Sequence, residues 1–350
     1  MSQLPLLSSL HGRTLRLVVG AVVLLALAGY VAVQYFAGGQ SSTRCTVLGG
    51  DGTQGSGARY ELTAEQAVNA ATISSVGTSR GMPERAVTIA LATALQESAL
   101  RNIRHGDRDS LGLFQQRPSQ GWGTGEQILD PAYSAARFYQ HLTEVPGYSR
   151  LPLTVAAQRV QKSGFPQAYA KHEPDAALLA SALTGRTPAS LSCEARRGGD
   201  DGKQGDPAKV RESLTGAFGA GVLLQTRAAG SPASSPVSGS ASGSAGSSTS
   251  GPSRGSDDAR TVVVPVPGAG GGDRGADAGG AFAEPAQQRG WQLAHWAMAH
   301  SAELRITRIT YAGHEWSSRR AADGWQRIPA KESPAGAAEG ASEVRISTAP

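Results

Sequence analysis

A run of serine, glycine and alanine at 228–258 divides the chain into two parts. Such a composition offers too little apolar surface to offset the entropy cost of ordering, so it predicts a disordered insertion. The overall composition agrees, since only 39% of the 350 residues are hydrophobic, 5% are aromatic and 45 are glycine. One compact globule of this length would need more apolar surface. The chain is therefore expected to combine folded modules with linkers.

An uncharged apolar segment lies near the N-terminus, at 17–36. Twenty residues of helix span about 30 Å, the thickness of the hydrocarbon core of a bilayer. Arg13 and Arg16 precede the segment and no cation follows it closely, so the positive-inside rule places the N-terminus in the cytoplasm and the rest outside. The segment therefore predicts a single-pass anchor in the cell membrane. A cleaved signal peptide, with Ala26 and Ala28 at the cleavage site, and a buried soluble helix are the alternatives.

Cys45 and Cys193 are the two cysteines of the chain, and they lie in polar flanks at the two ends of an apolar segment. Thiols outside the cytoplasm tend to pair, so the sequence predicts a disulfide, with two free thiols as the alternative. Closing so long a loop contributes about 4–5 kcal/mol in the chain-entropy model. A metal site is not expected, because two lone cysteines lack the usual ligand spacing.

Between the cysteines, apolar residues recur at helical spacing from 63 to 184. Thr63 and Gln66 form a capping-box pattern at the start of this stretch, and prolines open later helices. The C-terminal part mixes helix and strand patterns and predicts a small α/β module. The expected boundaries are a cytoplasmic tail at 1–16, an anchor at 17–36, a tether at 37–62, a mainly α domain at 63–195, an α/β module at 206–330 with a strand at 222–226 and the disordered insertion at 228–258, and a disordered tail at 331–350.

Glu97 is the clearest candidate for a catalytic residue. It ends the apolar helix pattern of 83–100, in the run L-Q-E-S-A-L. Desolvation and the negative end of the helix dipole are both expected to raise the pKa of such a carboxyl. A carboxyl that stays protonated near neutral pH is suited to be a general acid.

Two further motifs follow Glu97: G-L-F-Q at 112–115, and Asp130-Pro131 opening an aromatic-bearing helix. With these motifs, the stretch 63–184 resembles the lysozyme-like superfamily, which includes bacterial lytic transglycosylases and goose-type lysozymes. The resemblance implies a mainly α lysozyme-like fold and a peptidoglycan substrate. It also implies that the glutamate of the Glu-Ser motif, here Glu97, is the catalytic acid.

The same resemblance suggests which residues contact the glycan. Gln115 belongs to the element that frames the sugar cleft in the family, and Tyr139 matches its helix with an aromatic-leucine end. Tyr169 corresponds to a late tyrosine that supports the acid and the substrate. Gln116 and Trp122 are further candidates for hydrogen bonds to sugars or stacking on them, with ordinary packing as the alternative.

The second carboxylate determines the reaction outcome. Asp107 lies in a Gly-Asp-Arg turn like that of goose-type lysozymes, where an aspartate positions the hydrolytic water; Asp109 is its rival, and turn capping is the alternative for both. The serine of transglycosylases is replaced by Gly106. Hydrolysis with inversion is expected if Asp107 activates water. Otherwise Glu97 acts as the base and the muramyl 6-hydroxyl forms a 1,6-anhydro end. Both outcomes stay open.

The C-terminal module carries G-W-Q-L-A-H-W at 290–296 and Y-A-G-H-E-W at 311–316. It resembles a non-catalytic domain appended to lysozyme-like and peptidase modules in actinobacterial secreted proteins, a remnant of the zinc D,D-carboxypeptidase fold without its metal ligands. This resemblance implies a role in binding or positioning at the cell wall, and a purely structural cap is the alternative.

The remaining features exclude several other classes. A net charge of +5 with scattered basic residues fits an anionic surface but does not indicate a nucleic-acid interface. His295, His300 and His314 lack metal-ligand spacing, and no phosphate-loop or dinucleotide motif occurs, so neither metal nor cofactor is expected. The sequence thus predicts a membrane-anchored, extracytoplasmic glycosidase or lytic transglycosylase acting on peptidoglycan. An inactive wall-binding scaffold and an envelope protein of transport or secretion are the alternatives.

Overall fold

The computed structural model describes residues 19, 20, 22, 43–50, 57–194, 203–227, 259–266, 286–329 and 342–350. The prediction of a transmembrane helix at 17–36 was wrong. Among the described residues, no helix is both long enough and apolar enough to cross a bilayer. Of that segment only residues 19, 20 and 22 are described, as helical, and the others lie outside the described residues. The insertion at 228–258 lies outside them as well.

A three-stranded antiparallel sheet, in the order β2-β1-β3, begins the fold from Thr43 onward. Cys45 of β1 is the direct cross-strand partner of Cys193 of β3, and the predicted disulfide between them is confirmed. The first strand lies inside the expected tether because Cys45 and Val47 alternate with polar residues and are fully buried. The strands are β1 (Arg44–Leu48), β2 (Arg59–Thr63) and β3 (Leu191–Cys193).

Six α-helices follow between β2 and β3 in the described residues. The first begins at the capping box that Thr63 and Gln66 predict, and Asp130 caps the fourth by accepting from backbone N–H groups. The second helix is buried on nearly every side. The helices are α1 (Ala64–Ser79), α2 (Glu84–Ser98), α3 (Gly125–Ile128), α4 (Pro131–Thr143), α5 (Leu153–Gln161) and α6 (Glu173–Leu183), with a 3-10 helix at Pro166–His172 between the last two.

The C-terminal part has a five-stranded, wholly antiparallel sheet in the order β4-β8-β5-β6-β7. The fold-class prediction of a mainly α protein with a small α/β module is corrected accordingly: both sheets are antiparallel, and neither uses parallel strands joined by crossover helices. The elements are α7 (Pro207–Phe218), β4 (Thr261–Pro265), α8 (Ala286–Ala299), β5 (Ile306–Tyr311), β6 (His314–Ser317), β7 (Gln326–Arg327) and β8 (Glu343–Thr348).

Two segments of this part differ from expectation. The predicted strand at 222–226 lies within a 3-10 helix, Ala220–Arg227. Residues 343–348, expected in a disordered tail, form the strand β8 between β4 and β5. Val344 and Ile346 alternate with polar residues and are fully buried there, so the strand is stabilised by partners that are distant in the sequence.

The C-terminal part packs directly on the helical part at 63–184, chiefly through α8. His295 on α8 is fully buried, and its Nδ1 donates to the carbonyl of Ala182 at 2.7 Å. The Trp325 indole N–H donates to the carbonyl of Leu191 on β3 at 2.8 Å. Burial lowers the pKa of His295 to about 4, so this side chain is neutral at physiological pH.

Gly185, just after α6, permits the closest approach at this contact. Its φ is +78°, and a Cβ there would lie 1.9 Å from the carbonyl oxygen of Gln288. We expect Gly185→Ala to lower the free energy of unfolding by about 2–4 kcal/mol, because left-handed strain and overpacking act together. The matched control is Gly147→Ala, whose φ is +67° with nothing within 4 Å of a Cβ. Urea unfolding of both variants checks this, and equal losses would contradict the close contact.

Candidate active site

Glu97 lies in the last turn of α2, where the buried helix brings the carboxyl to a half-buried position. The chain then turns sharply, because Ala99 and Leu100 both adopt left-handed backbone angles, with φ of 53° and 59°. Left-handed conformations cost non-glycine residues about 1–2 kcal/mol each. Backbone strain of this kind clusters at functional sites. The observed strain is therefore consistent with a functional role for this helix end.

A tyrosine from later in the chain holds the Glu97 carboxyl. The Tyr169 hydroxyl donates to its Oε1 at 2.6 Å. Desolvation raises the pKa of Glu97, and the hydrogen bond from Tyr169 together with the polar side chain of Gln161 partly opposes that rise. The net shift is upward. The carboxyl thus holds its proton at higher pH than an exposed glutamate does.

The G-L-F-Q motif lies beside this helix end, and two hydrogen bonds fix it there. The Ser98 hydroxyl donates to the carbonyl of Leu113 at 2.8 Å. The Gln161 amide N–H donates to the carbonyl of Phe114 at 2.6 Å. Gln161 therefore fixes the motif beside the carboxyl of Glu97, whose pKa it also lowers. Sequence reasoning missed this glutamine, because no local spacing signals a contact that depends on tertiary packing.

Gln115 is half-buried at the same turn and has a left-handed φ of 47°. Its side-chain amide donates to the carbonyl of Gly112 at 3.2 Å. A Cβ at Gly106 would lie 1.8 Å from its Oε1, so the absence of a side chain at Gly106 lets the loop pack against Gln115. This position is compatible with the predicted role of Gln115 in binding sugar.

Gln116, Tyr139 and Trp122 are buried residues. Gln116 is 1% exposed and donates to the carbonyl of Ser134 at 3.0 Å. Tyr139 is 1% exposed, and its hydroxyl donates to the carbonyl of Ile73 at 3.0 Å. Trp122 packs edge-on against His141 with ring centroids 4.5 Å apart. The structure places these candidates in packing positions and does not bring them to Glu97 through any described hydrogen bond.

The two candidate second carboxylates have different environments. Asp109 is tied to Arg117 Nε at 2.6 Å and accepts from the backbone N–H of Ser119 at 2.9 Å. These contacts, led by those of Ser119, hold its pKa far below the usual range. Asp107 is exposed, and within the described residues no hydrogen bond or ion pair holds its carboxylate. Asp109 therefore stabilises the turn, whereas Asp107 is available to water or substrate.

In the part of the chain that the structure describes, no three His, Cys, Asp or Glu side chains are grouped to hold a metal ion. His295 and His300 are buried, and each directs its Nδ1 to a backbone carbonyl. Burial lowers the pKa of His300 to about 4, as it does for His295. These histidines are packing residues of α8 and of the turn that follows it.

Comparison with known proteins bears on the C-terminal part alone. Residues 276–337 are similar to a family described as VldE, C-terminal domain. The match includes α8 and the strands β5, β6 and β7, covers less than a fifth of the chain and leaves out Glu97. No curated protein matches the chain. The match therefore concerns residues 276–337 only and does not bear on the surroundings of Glu97.

Proposed function

We propose that this protein cleaves the glycan strands of peptidoglycan between N-acetylmuramic acid and N-acetylglucosamine, with Glu97 as the general acid. The observation that carries the proposal is the 2.6 Å hydrogen bond from Tyr169 to a Glu97 carboxyl whose pKa is raised by desolvation. The resemblance of 63–184 to lysozyme-like proteins supplies the substrate class. No cofactor or metal is part of the proposal.

Catalysis begins when protonated Glu97 donates its proton to the glycosidic oxygen, whose bond to the anomeric carbon then breaks. Positive charge develops on the sugar ring as Glu97 becomes a carboxylate. The hydroxyl of Tyr169 donates to the carboxyl, and the polar side chain of Gln161 also favours its charged form, so both stabilise it once it is ionised. The hydrogen bond from Tyr169 also holds it in the orientation in which it can accept a proton back.

The second half of the reaction has two possible nucleophiles. If Asp107 accepts a proton from water, the water attacks the anomeric carbon and leaves a reducing end with inverted configuration. If Glu97 instead takes the proton of the muramyl 6-hydroxyl, that oxygen attacks and closes a 1,6-anhydro ring. The exposed position of Asp107, without a partner among the described residues, supports the second route, because no contact fixes a base opposite the acid.

We propose an extracytoplasmic location, which the Cys45–Cys193 disulfide supports, because such bonds persist in oxidising compartments. For the C-terminal part we propose a role in positioning the enzyme at the wall. The alternative function is a catalytically inactive scaffold that binds the cell wall. The observation in its favour is that no described contact holds the carboxylate of Asp107, since a hydrolase of the inverting type needs a positioned base.

The experiment is digestion of purified peptidoglycan, followed by mass spectrometry of the released fragments. We expect soluble muropeptides with 1,6-anhydro ends, which are lighter by one water than reducing ends. Reducing ends in place of anhydro ends would assign hydrolysis and give Asp107 its proposed role as the base. The absence of released fragments, together with retention of the protein on the insoluble wall, would favour the scaffold.

A further inference from the structure

A short loop between Gln161 and Tyr169 lies beside the proposed catalytic acid, Glu97. Gln161, the last residue of α5, donates to the carbonyl of Phe114 in the motif beside the acid, and Tyr169 in the 3-10 helix that follows donates to Glu97. The seven residues between them are therefore fixed near the acid at both ends. We call residues 162–168 the acid loop.

Hydrogen bonds hold the acid loop in a defined shape. The Gln158 amide donates to the carbonyl of Ser163 at 2.8 Å, and the backbone N–H of Phe165 donates to the Ser163 hydroxyl oxygen at 3.2 Å. Tyr169, which follows directly on the loop, donates to Glu97 at 2.6 Å. The backbone of Phe165 is thus fixed on a loop whose C-terminal neighbour contacts the proposed catalytic carboxyl.

Phe165 is an unusual side chain in this setting, because it is 77% exposed. The other exposed large hydrophobic side chains among the described residues are Val19 and Val22, at 53% and 60%, and both belong to the N-terminal segment 1–42. A single exposed apolar residue is common on protein surfaces. Here, however, the exposed ring is held on a short loop whose two ends are fixed beside the acid.

We propose that Phe165 binds substrate by stacking its ring on the apolar face of a sugar of the glycan strand, in the subsite beside the bond that Glu97 protonates. The faces of pyranose rings present C–H groups with partial positive charge, and the face of an aromatic ring carries the negative part of its quadrupole. Stacking also removes apolar surface of both partners from water. This inference rests on the proposed function, because it takes the substrate class from it.

The test measures binding in a Glu97→Gln background, which prevents turnover of the ligand. The probe is a soluble tetrasaccharide of alternating N-acetylglucosamine and N-acetylmuramic acid. Phe165→Trp places an indole at the proposed contact, so we expect a saturable blue shift of its emission, measured against the same background without the added tryptophan. We expect Phe165→Ala to weaken binding about five- to tenfold, and Phe165→Trp to retain it.

Gln167→Ala, which removes a different exposed side chain of the acid loop, is the matched control and should bind as the parent does. All variants should melt within about one degree of the parent, since the Phe165 ring contributes little to the core. Equal dissociation constants for Phe165→Ala and its parent would overturn the inference. If the wild-type protein cleaves the glycan and Phe165→Ala, made in the active protein, has the same KM, the inference would also be overturned. The proposed function would then remain intact. Binding that depends on Phe165 without any cleavage would support the inference and contradict the proposed function.

Discussion

Glu97→Gln is expected to slow glycan cleavage by about 10²–10⁴-fold, the range that general acid catalysis contributes. Glutamine has the size of glutamate and can accept the hydrogen bond of Tyr169, but it has no proton to donate to the glycosidic oxygen. Release of soluble fragments from labelled peptidoglycan measures the rate. The matched control is Glu126→Gln, an exposed glutamate in the first turn of α3, which should retain full activity.

The same substitution should leave the fold intact and improve its stability at neutral pH. Because the folded-state pKa of Glu97 is raised, the folded protein binds this proton more tightly than the unfolded chain does. The stability contributed by the protonated carboxyl is complete below the unfolded pKa and is lost as pH rises through the folded pKa. Glutamine does not ionise, so the variant keeps this stability as pH rises. We therefore expect the melting temperature of Glu97→Gln to exceed that of the wild type at pH 7 and to match it more closely at pH 4. An inactive variant that is also unfolded would not test the proposal, so both measurements belong together.

The pH dependence of cleavage follows from the same carboxyl. Activity should fall as pH rises through the pKa of Glu97, because the ionised form cannot act as an acid. Tyr169→Phe removes a hydrogen bond that lowers this pKa. The alkaline limb of the rate profile should therefore move to higher pH, while the maximal rate declines through loss of orientation. A shift toward lower pH would contradict the arrangement in which tyrosine donates to the carboxylate.

Local signals in the sequence predicted the features that depend on neighbouring residues. The capping box at Thr63 and the start of α4 at Asp130 each involve residues within one turn of helix. The strand β8 was missed because its stability depends on pairing with β4 and β5, which lie far away in the sequence. Low complexity in the flanking residues also made that segment resemble a tail.

In the candidate site, too, the sequence predicted the local features and missed those that depend on tertiary packing. The raised pKa of Glu97 was expected from its place at the end of an apolar helix, and the structure agrees. Which aromatic residue meets the acid is a matter of tertiary packing: Tyr139 is directed to the carbonyl of Ile73, and Tyr169 to Glu97. The hydrogen bond from the Gln161 amide to the carbonyl of Phe114 depends on tertiary packing, and no spacing in the sequence predicts it.

The Cys45–Cys193 disulfide is expected to contribute about 4–5 kcal/mol to the free energy of unfolding. It joins residues 148 positions apart, so it removes much of the freedom of the unfolded chain. It also joins β1 to β3, the strand whose Leu191 carbonyl accepts the indole N–H of Trp325. Loss of the bond should therefore weaken the contact with the C-terminal part as well as the sheet.

A double variant, Cys45→Ser with Cys193→Ser, measures this contribution by urea unfolding under oxidising conditions. We expect its free energy of unfolding to fall by about 4–5 kcal/mol. Thermal unfolding of the same samples should show a melting temperature lower by about 10 °C or more. Reduction of the wild-type protein should produce the same loss, because it opens the same loop without changing any residue. The double variant should lose no further stability on adding reductant. A difference below about 1 kcal/mol between the oxidised wild type and the variant would show that pairing of β1 with β3 and the buried helices already hold the two ends together.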